Sequence, residues 1–369
     1  MRSKWPKRQN LNYGYSMRKS YDFVYLTNTP SFYKVNLCNE IAKKYSVLLV
    51  LYGYGSEAVN TFLNEGTQTK CDHVFLYAGD ANKRNKLLVF IRLLKLMRSI
   101  TCRKIIYSGW MAPEYNLYSF VSPREKNVLV CESSILDVSF GGIVGKIKRA
   151  IINRMGIALP SGKLHDQLFQ SIGFKGRRVI TGSVGLFNKK PFSALQKKQH
   201  QPLRYLYVGR LVDVKNVSLL IEEFNKNGKP LTIVGNGYLE KDLKQRAREN
   251  ISFTGFIENK QLGRIYQSHD VFILPSYSET WGLVVEEAIY WGLPVIVSDR
   301  VGCSVDMVQE LGTGIIFKSK DISSLHAAIE DMEVHYDKFY QAVTAVNWTQ
   351  RDKLQVEAYT RLLDYNNYR

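Results

Sequence analysis

The sequence contains no run of about 20 apolar residues, which excludes a helix that spans a bilayer. Its first residues, MRSKWPKRQNLNYGYSMRKS, are basic and polar and lack the apolar core of a secretory signal. Cysteines are few and scattered: Cys38, Cys71, Cys102, Cys131 and Cys303 form no CxxC and no Cys/His cluster. They read as free thiols in a reducing compartment and argue against a zinc site. No long low-complexity tract is present, so disorder is not the expectation. No G-x-G-x-x-G follows an early strand, which argues against a dehydrogenase. The expected setting is the cytoplasm, with room for a peripheral position on the inner face of a membrane.

What the sequence does have is length, apolar content and positive charge. Its 369 residues exceed one ordinary core and suit two domains, and 45% apolar residues support globular folding. The formal charge of +18 points to an anionic partner. Nucleic acid, anionic lipid and a phosphorylated substrate all fit, and charge alone does not choose among them.

Short apolar runs alternate with helical stretches. Tyr21–Thr27, Val47–Leu51, Val74–Tyr77, Lys104–Tyr107, Val128–Cys131 and Ile157–Leu159 read as strands, with a helix over Asn36–Lys44. The rhythm restarts at Leu203–Val208 and continues through Leu231–Val234, Ile251–Thr254, Val271–Leu274 and Val295–Ile296. Runs this short and continuous suit strands buried on both faces of a parallel sheet. The expected fold class is α/β, with two doubly wound, Rossmann-like parallel-sheet domains facing a cleft. The polar stretch Asn188–Pro202 is the expected linker between domains at 1–190 and 191–346, and a helix within 347–369 is expected to pack back on the first domain.

The chemistry concentrates in the second half. In YVGRLVDVKN (Tyr207–Asn216) a strand ends before Gly209, and Arg210 and Lys215 follow. Ligands bind beyond the carboxyl ends of strands in open α/β sheets. Arginine grips phosphate oxygens in a bidentate way and lysine adds a mobile charge, so the pair suits a diphosphate. The same residues also read as a solvated turn. Gly235 and Gly237 in IVGNGYL would let backbone approach a ligand, or form a plain tight turn. FTGFI places Phe256 beyond another strand, where its backbone could meet a nucleobase. In SETWGLVVEEAIYWGLPVIVS, Glu279 and Thr280 end a loop before a helix opened by Trp281, Gly282 and Leu283, and Glu287 lies about two turns inside. Unpaired N–H groups at that helix start favour an anion. Glu279 suits sugar hydroxyls and Glu287 the vicinal hydroxyls of ribose, a layout that fits a nucleoside diphosphate sugar. Glu286 points about 100° away and is expected to be structural or solvated.

These residues resemble family-four glycosyltransferases, retaining enzymes of the GT-B fold that serve polysaccharide and lipopolysaccharide synthesis. The resemblance covers residues 204–317 and rests on G-R-x-x-x-x-K at Gly209–Lys215, G-x-G at Gly235–Gly237, P-S-x-x-E at Pro275–Glu279, the acid pair Glu279 and Glu287, and G-L-P-V at Gly292–Val295. It implies Arg210, Lys215 and Glu279 as catalytic groups. It implies donor binding by Glu287, to which the strand-end and helix-start readings above add Gly209, Gly235, Gly237, Phe256, Thr280, Trp281, Gly282 and Leu283. It implies no cofactor and no metal, in keeping with the lack of a persuasive D-x-D. The first half departs from the family. The loop after the first strand, TNTPSFY, has no glycine and leaves Pro30 and Phe32 on the acceptor side. VLVCESS leaves Glu132 or Ser133 where the family often has histidine, and His165 and His269 read as helix or strand-end residues.

Between Asp80 and Glu114 there is no acid, and Arg84, Arg92, Lys95 and Arg98 fall on one arc of a helix expected over 84–99. Lys146, Lys148, Arg149 and Arg154 form a second basic run. Basic amphipathic helices rest on anionic bilayers, so the acceptor is expected to be a glycan or a lipid-linked glycan, although a solvated surface reads equally well. Two alternatives remain open: a sugar-nucleotide epimerase or hydrolase on the same fold, and a basic nucleic-acid-binding protein. The latter lacks interleaved basic and aromatic residues or any recognisable module, so no nucleic-acid partner is expected.

Overall fold

A computed structural model describes residues 18–53, 69–77, 79–187 and 200–363. Two parallel sheets organise it. The first contains β1 (Lys19–Thr27), β2 (Val47–Leu51), β3 (Asp72–Phe75), β4 (Ile100–Ser108), β5 (Asn127–Cys131), β6 (Ile157–Pro160) and β7 (Arg177–Arg178), in the order β3-β2-β1-β4-β5-β6-β7. The second contains β8 (Tyr205–Val208), β9 (Leu231–Val234), β10 (Ile251–Gly255), β11 (Val271–Leu274), β12 (Val295–Ser298) and β13 (Gly314–Phe317), in the order β10-β9-β8-β11-β12-β13. Strand order reverses between β1 and β4 in one sheet and between β8 and β11 in the other. At such switch points the connections leave toward opposite faces and open a crevice beyond the carboxyl ends.

Strand β1 shows why the layers form. Val24 and Leu26 join one buried cluster, and Phe23 and Tyr25 join the cluster on the opposite face. A strand with alternate residues in two cores must be apolar throughout, and Phe23 to Leu26 is. Helices cover both faces. The helix Trp348–Thr360 follows the second sheet yet packs on the first domain: Tyr359 stacks on Tyr25 at 6.4 Å, and Leu362 and Leu363 enter the same core. Residues 364–369 of the expected C-terminal helix, positions 188–199 of the expected linker and the basic stretch at 1–17 lie outside the described residues.

Three expectations shift. The first helix runs Phe32–Ile41 rather than Asn36–Lys44, because extended Ser31, after Pro30, starts it early and Lys43 and Lys44 fall in the turn beyond. Strands β7 and β13 were not expected from the sequence. The first has only two arginines, held by Arg177 N–H on the Gly156 carbonyl at 3.0 Å, and the second is a short run behind glycines. The first basic helix starts at Lys86, with the Asn85 side chain accepting from Leu88 N–H at 3.1 Å. Arg84 lies outside it, paired with buried Glu114 and lying over the Tyr52 ring at 3.8 Å. Arg92 donates to the Leu76 carbonyl at 2.6 Å. The basic arc expected there thus loses Arg84, while Arg92, Lys95 and Arg98 stay exposed. Among the described residues, no helix is long and apolar enough to cross a membrane.

Candidate active site

The loop after β8 and the loop after β11 form one unit at the second switch point. Asn216 adopts a left-handed conformation (φ 52°) at the start of the helix Val217–Asn227. Its side-chain amide donates to the Pro275 carbonyl at 3.2 Å and the Ser319 carbonyl at 3.1 Å. Tyr277 N–H adds a bond to the Val214 carbonyl at 2.8 Å. These ties place Lys215 against Glu279, and the two form an ion pair with side chains only 14% and 16% exposed. Arg210 is exposed, with no ion pair among the described residues. Burial raises the Tyr207 hydroxyl well above its ordinary range; nearby Glu279 raises it further and Arg210 opposes. Both charges therefore sit near that hydroxyl, which donates to the Arg210 carbonyl at 2.9 Å.

The turn after β9 packs on the turn after β8. A Cβ on Gly235 would lie 1.9 Å from the Gly209 carbonyl oxygen, and one on Gly237 2.1 Å from that of Leu211. The glycines expected to admit a ligand are thus required first by backbone-to-backbone contact between two turns. Phe256, just beyond β10, is exposed.

Beyond β11, Gly282 takes a positive φ of 102° and the helix Leu283–Tyr290 follows. Thr280 is exposed and Leu283 half-buried. Glu287 is buried and accepts from the Tyr266 hydroxyl at 3.3 Å. Trp281 turns its ring inward: it is 2% exposed, packs on His165 at 5.4 Å and donates its indole N–H to Glu286 at 2.9 Å. Only its backbone remains for a ligand. Glu286 is not solvated but buried, and it also accepts from the Ser183 hydroxyl at 2.7 Å.

Burial lifts Glu286 to about 7, opposed by Arg351, Trp281 and Ser183. The folded protein thus holds a proton that the unfolded chain releases at a lower pH, so this contribution to stability is fullest below the ordinary glutamate range and is lost as pH rises through about 7. Glu286→Gln keeps an acceptor for both donors and has nothing to ionise. It is expected to gain about 2–3 kcal/mol over the natural protein near pH 8 and nothing near pH 4, as measured by denaturant unfolding at the two values.

At the first switch point Lys34 meets Glu132. The ammonium lies 2.9 Å from the carboxylate and 2.9 Å from the Ser108 hydroxyl. Burial alone would lower the lysine, but Glu132, helped by Tyr33, holds it above its ordinary range. The Glu132 side chain is 31% exposed, Ser133 is half-buried, Pro30 is buried and the Phe32 ring lies on Phe187 at 6.2 Å. His165 is a buried interdomain residue and not merely a helix position: its Nε2 is 3.1 Å from the Glu132 carbonyl and 2.9 Å from that of Thr280. Sequence reasoning missed Lys34, Asn216 and the role of His165. An apolar helix carrying one lysine directly after β1 was the available signal for Lys34; Asn216 and His165 had none.

Residues 188–342 match the family model described as glycosyl transferases group 1. A sulfoquinovosyl transferase of Arabidopsis thaliana is 34% identical over 137 residues, which are 35% of this chain and 27% of that protein. The chain spans less than half the length of the curated relatives it matches. Among solved structures, sucrose-phosphate synthase of Thermosynechococcus elongatus superposes with a TM-score of 0.69 at 16% identity, covering 94% of this chain and 100% of that one. Anabaena HepE in complex with UDP-glucose gives a TM-score of 0.66 at 16% identity, covering 92% and 100%. These likenesses identify the fold as GT-B, and residues 188–342 are similar to the glycosyl transferases group 1 family.

Proposed function

We propose that the chain is a retaining, metal-independent glycosyltransferase that moves a sugar from a nucleoside diphosphate sugar to a hydroxyl of a glycan or lipid-linked glycan. The observation that carries this reading is the convergence of Arg210, Lys215, Glu279 and a helix N-terminus on one switch point. Arg210, Lys215 and the first N–H groups of Leu283–Tyr290 bind the diphosphate. Glu279 takes the sugar hydroxyls and Glu287 the ribose, with Phe256 near the base. HepE was solved with UDP-glucose, and a sugar nucleotide suits the charges of Arg210, Lys215 and Glu279 in this chain.

In the transfer the bond from the anomeric carbon to the diphosphate breaks and a bond to the acceptor oxygen forms. Negative charge grows on the diphosphate while the sugar becomes oxocarbenium-like. Fixed cations and N–H groups aimed at that charge lower the barrier. With attack on the leaving-group side, the acceptor proton passes to a departing phosphate oxygen and configuration is kept. On this reading Lys215 exchanges Glu279 for phosphate when the donor binds. Glu279→Gln is then expected to hold or strengthen nucleotide affinity while turnover falls at least tenfold.

The acceptor is assigned to the first domain, beside Glu132 and Ser133, near a bilayer. The helix Gly142–Asn153 exposes Ile143 (76%), Val144 (64%) and Ile147 (55%) beside Lys146, Lys148 and Arg149. Arg154, one residue on, lies over exposed Phe120 at 5.8 Å. Apolar side chains set among cations suit an anionic lipid surface. Co-sedimentation is expected with vesicles containing anionic lipid and not with neutral ones; equal indifference to both removes the membrane from this reading.

Thermal-shift titration with UDP, GDP and ADP and then with their sugars tests the donor site, and NMR of the product tests retention. Stabilisation by none of the nucleotides, or an inverted product, overturns the corresponding part. Turnover without any acceptor would instead favour an epimerase or hydrolase.

A further inference from the structure

Each switch point carries a lysine–glutamate pair, Lys34 with Glu132 and Lys215 with Glu279. The two segments bearing the glutamates meet on one side chain. His165 Nε2 faces the carbonyl oxygens of Glu132 and Thr280 at 3.1 and 2.9 Å. Carbonyl oxygens only accept, so Nε2 carries the proton and donates to both. Nδ1 is left buried without a hydrogen-bond partner. Burial also pushes the imidazole below its ordinary range, against the pull of Thr280, Asp306 and Glu132. A neutral ring donating from one fixed nitrogen is the state this setting stabilises.

The surroundings make the link stiff. The first-domain segment is bound again where Arg300 donates to the Leu136 carbonyl at 3.1 Å, and within itself where Asp137 accepts from Ser134 N–H at 2.5 Å. The second-domain segment is bound where Glu279 N–H donates to Arg300 and Gly302 N–H to Glu279, at 3.1 and 2.9 Å. Between them the imidazole packs on Trp281. Asp306 caps the helix that carries His165, accepting from Lys163 N–H at 3.1 Å across the domain boundary.

We propose that His165 is a positioning residue that fixes Glu132 of the acceptor half-site against Glu279 and Thr280 of the donor half-site. The inference rests on the donor and acceptor assignments above. Transfer needs the acceptor hydroxyl within bonding reach of the anomeric carbon, and small displacements of one half-site lower the rate steeply. Histidine suits the task because one N–H must serve two carbonyls from a dry helix face without bringing a charge. A glutamine amide at the same position supplies an N–H at a similar reach; leucine fills the space and supplies none.

Hydrogen exchange of the full chain without ligand tests the link. In His165→Leu the amides of Ser134 and of Glu279, Gly302 and Cys303 are expected to exchange at least tenfold faster together, with β8 and β9 unchanged. His165→Gln is expected to restore them. Exchange rising in one segment alone or in neither, or a glutamine variant that behaves like leucine, overturns the proposal. A second arm measures affinity for UDP, GDP and ADP and turnover of UDP-glucose, GDP-mannose and ADP-glucose. His165→Leu is expected to lose at least tenfold in turnover with nucleotide affinity within threefold of the natural protein, and His165→Gln to recover to within threefold. Affinity and turnover falling in step would mark a merely structural role and overturn it. A natural protein that binds none of the three nucleotides refutes the donor-site reading instead, and the exchange arm still decides the link.

Discussion

Arg210→Ala and Lys215→Ala are each expected to lower turnover at least a hundredfold while the fold survives. A preorganised donor that faces charge appearing in the transition state contributes about 3–4 kcal/mol, and both residues are assigned that position. The stability side of the argument differs between them. Arg210 is exposed, so its removal is expected to shift unfolding by no more than about 0.5 kcal/mol. Lys215 neutralises Glu279, and its removal leaves that carboxylate without its ion-pair partner in a largely buried place. A stability cost of about 1–2 kcal/mol is expected there, still small against the kinetic loss. Arg210→Lys separates charge from geometry, since it keeps the cation and loses the two-pronged grip. Steady-state kinetics with thermal unfolding of the same samples checks all three; near-normal turnover in both alanine variants removes the diphosphate assignment.

The second large effect is structural in origin. Gly235→Ala puts a methyl group 1.9 Å from the Gly209 carbonyl oxygen, at a φ of 131° that side chains rarely adopt. Neither turn can yield easily. Gly235 N–H is bound to the Gly255 carbonyl at 2.8 Å and Gly209 N–H to that of Val234 at 3.0 Å. The substitution is expected to destabilise the protein by about 2–4 kcal/mol and to abolish nucleotide binding by moving the Arg210 loop. Denaturant unfolding and nucleotide titration of the variant check this. Full stability would show that the turns separate more readily than their bonding indicates.

Five of the six strands of the second sheet, β8 to β12, were legible because each is a short apolar run bounded by glycine, proline or charge, and β13 was not. Tyr205–Val208 and Val271–Leu274 lie inside or match the runs that sequence alone marks. The placing of Arg210, Lys215 and Glu279 together was legible because they follow strand ends, where an α/β sheet places its ligands. What the sequence hid depends on contacts between distant segments. Trp281 resembles a ligand contact in the linear string, and its burial follows from His165 and Glu286 closing over it. Arg84 looks like one more cation of a basic face until Glu114, far along the chain, takes it inward. Lys34 gave a faint signal, as the one lysine of a largely apolar helix, but its partner Glu132 is separated from it by most of the first domain.

The return of the helix Trp348–Thr360 to the first domain has a mechanical consequence. The polypeptide passes from one half of the molecule to the other twice, between Arg178 and Tyr205 and again between Phe317 and Trp348. A single tether would let the halves swivel freely, whereas two act like the paired pivots of a door and leave one easy swing. Ending the chain ahead of Trp348 would remove one pivot and, with it, Tyr359, Leu362 and Leu363 from the interior of the first half, so a truncated protein should lose both the shared axis and part of the packing that steadies that half.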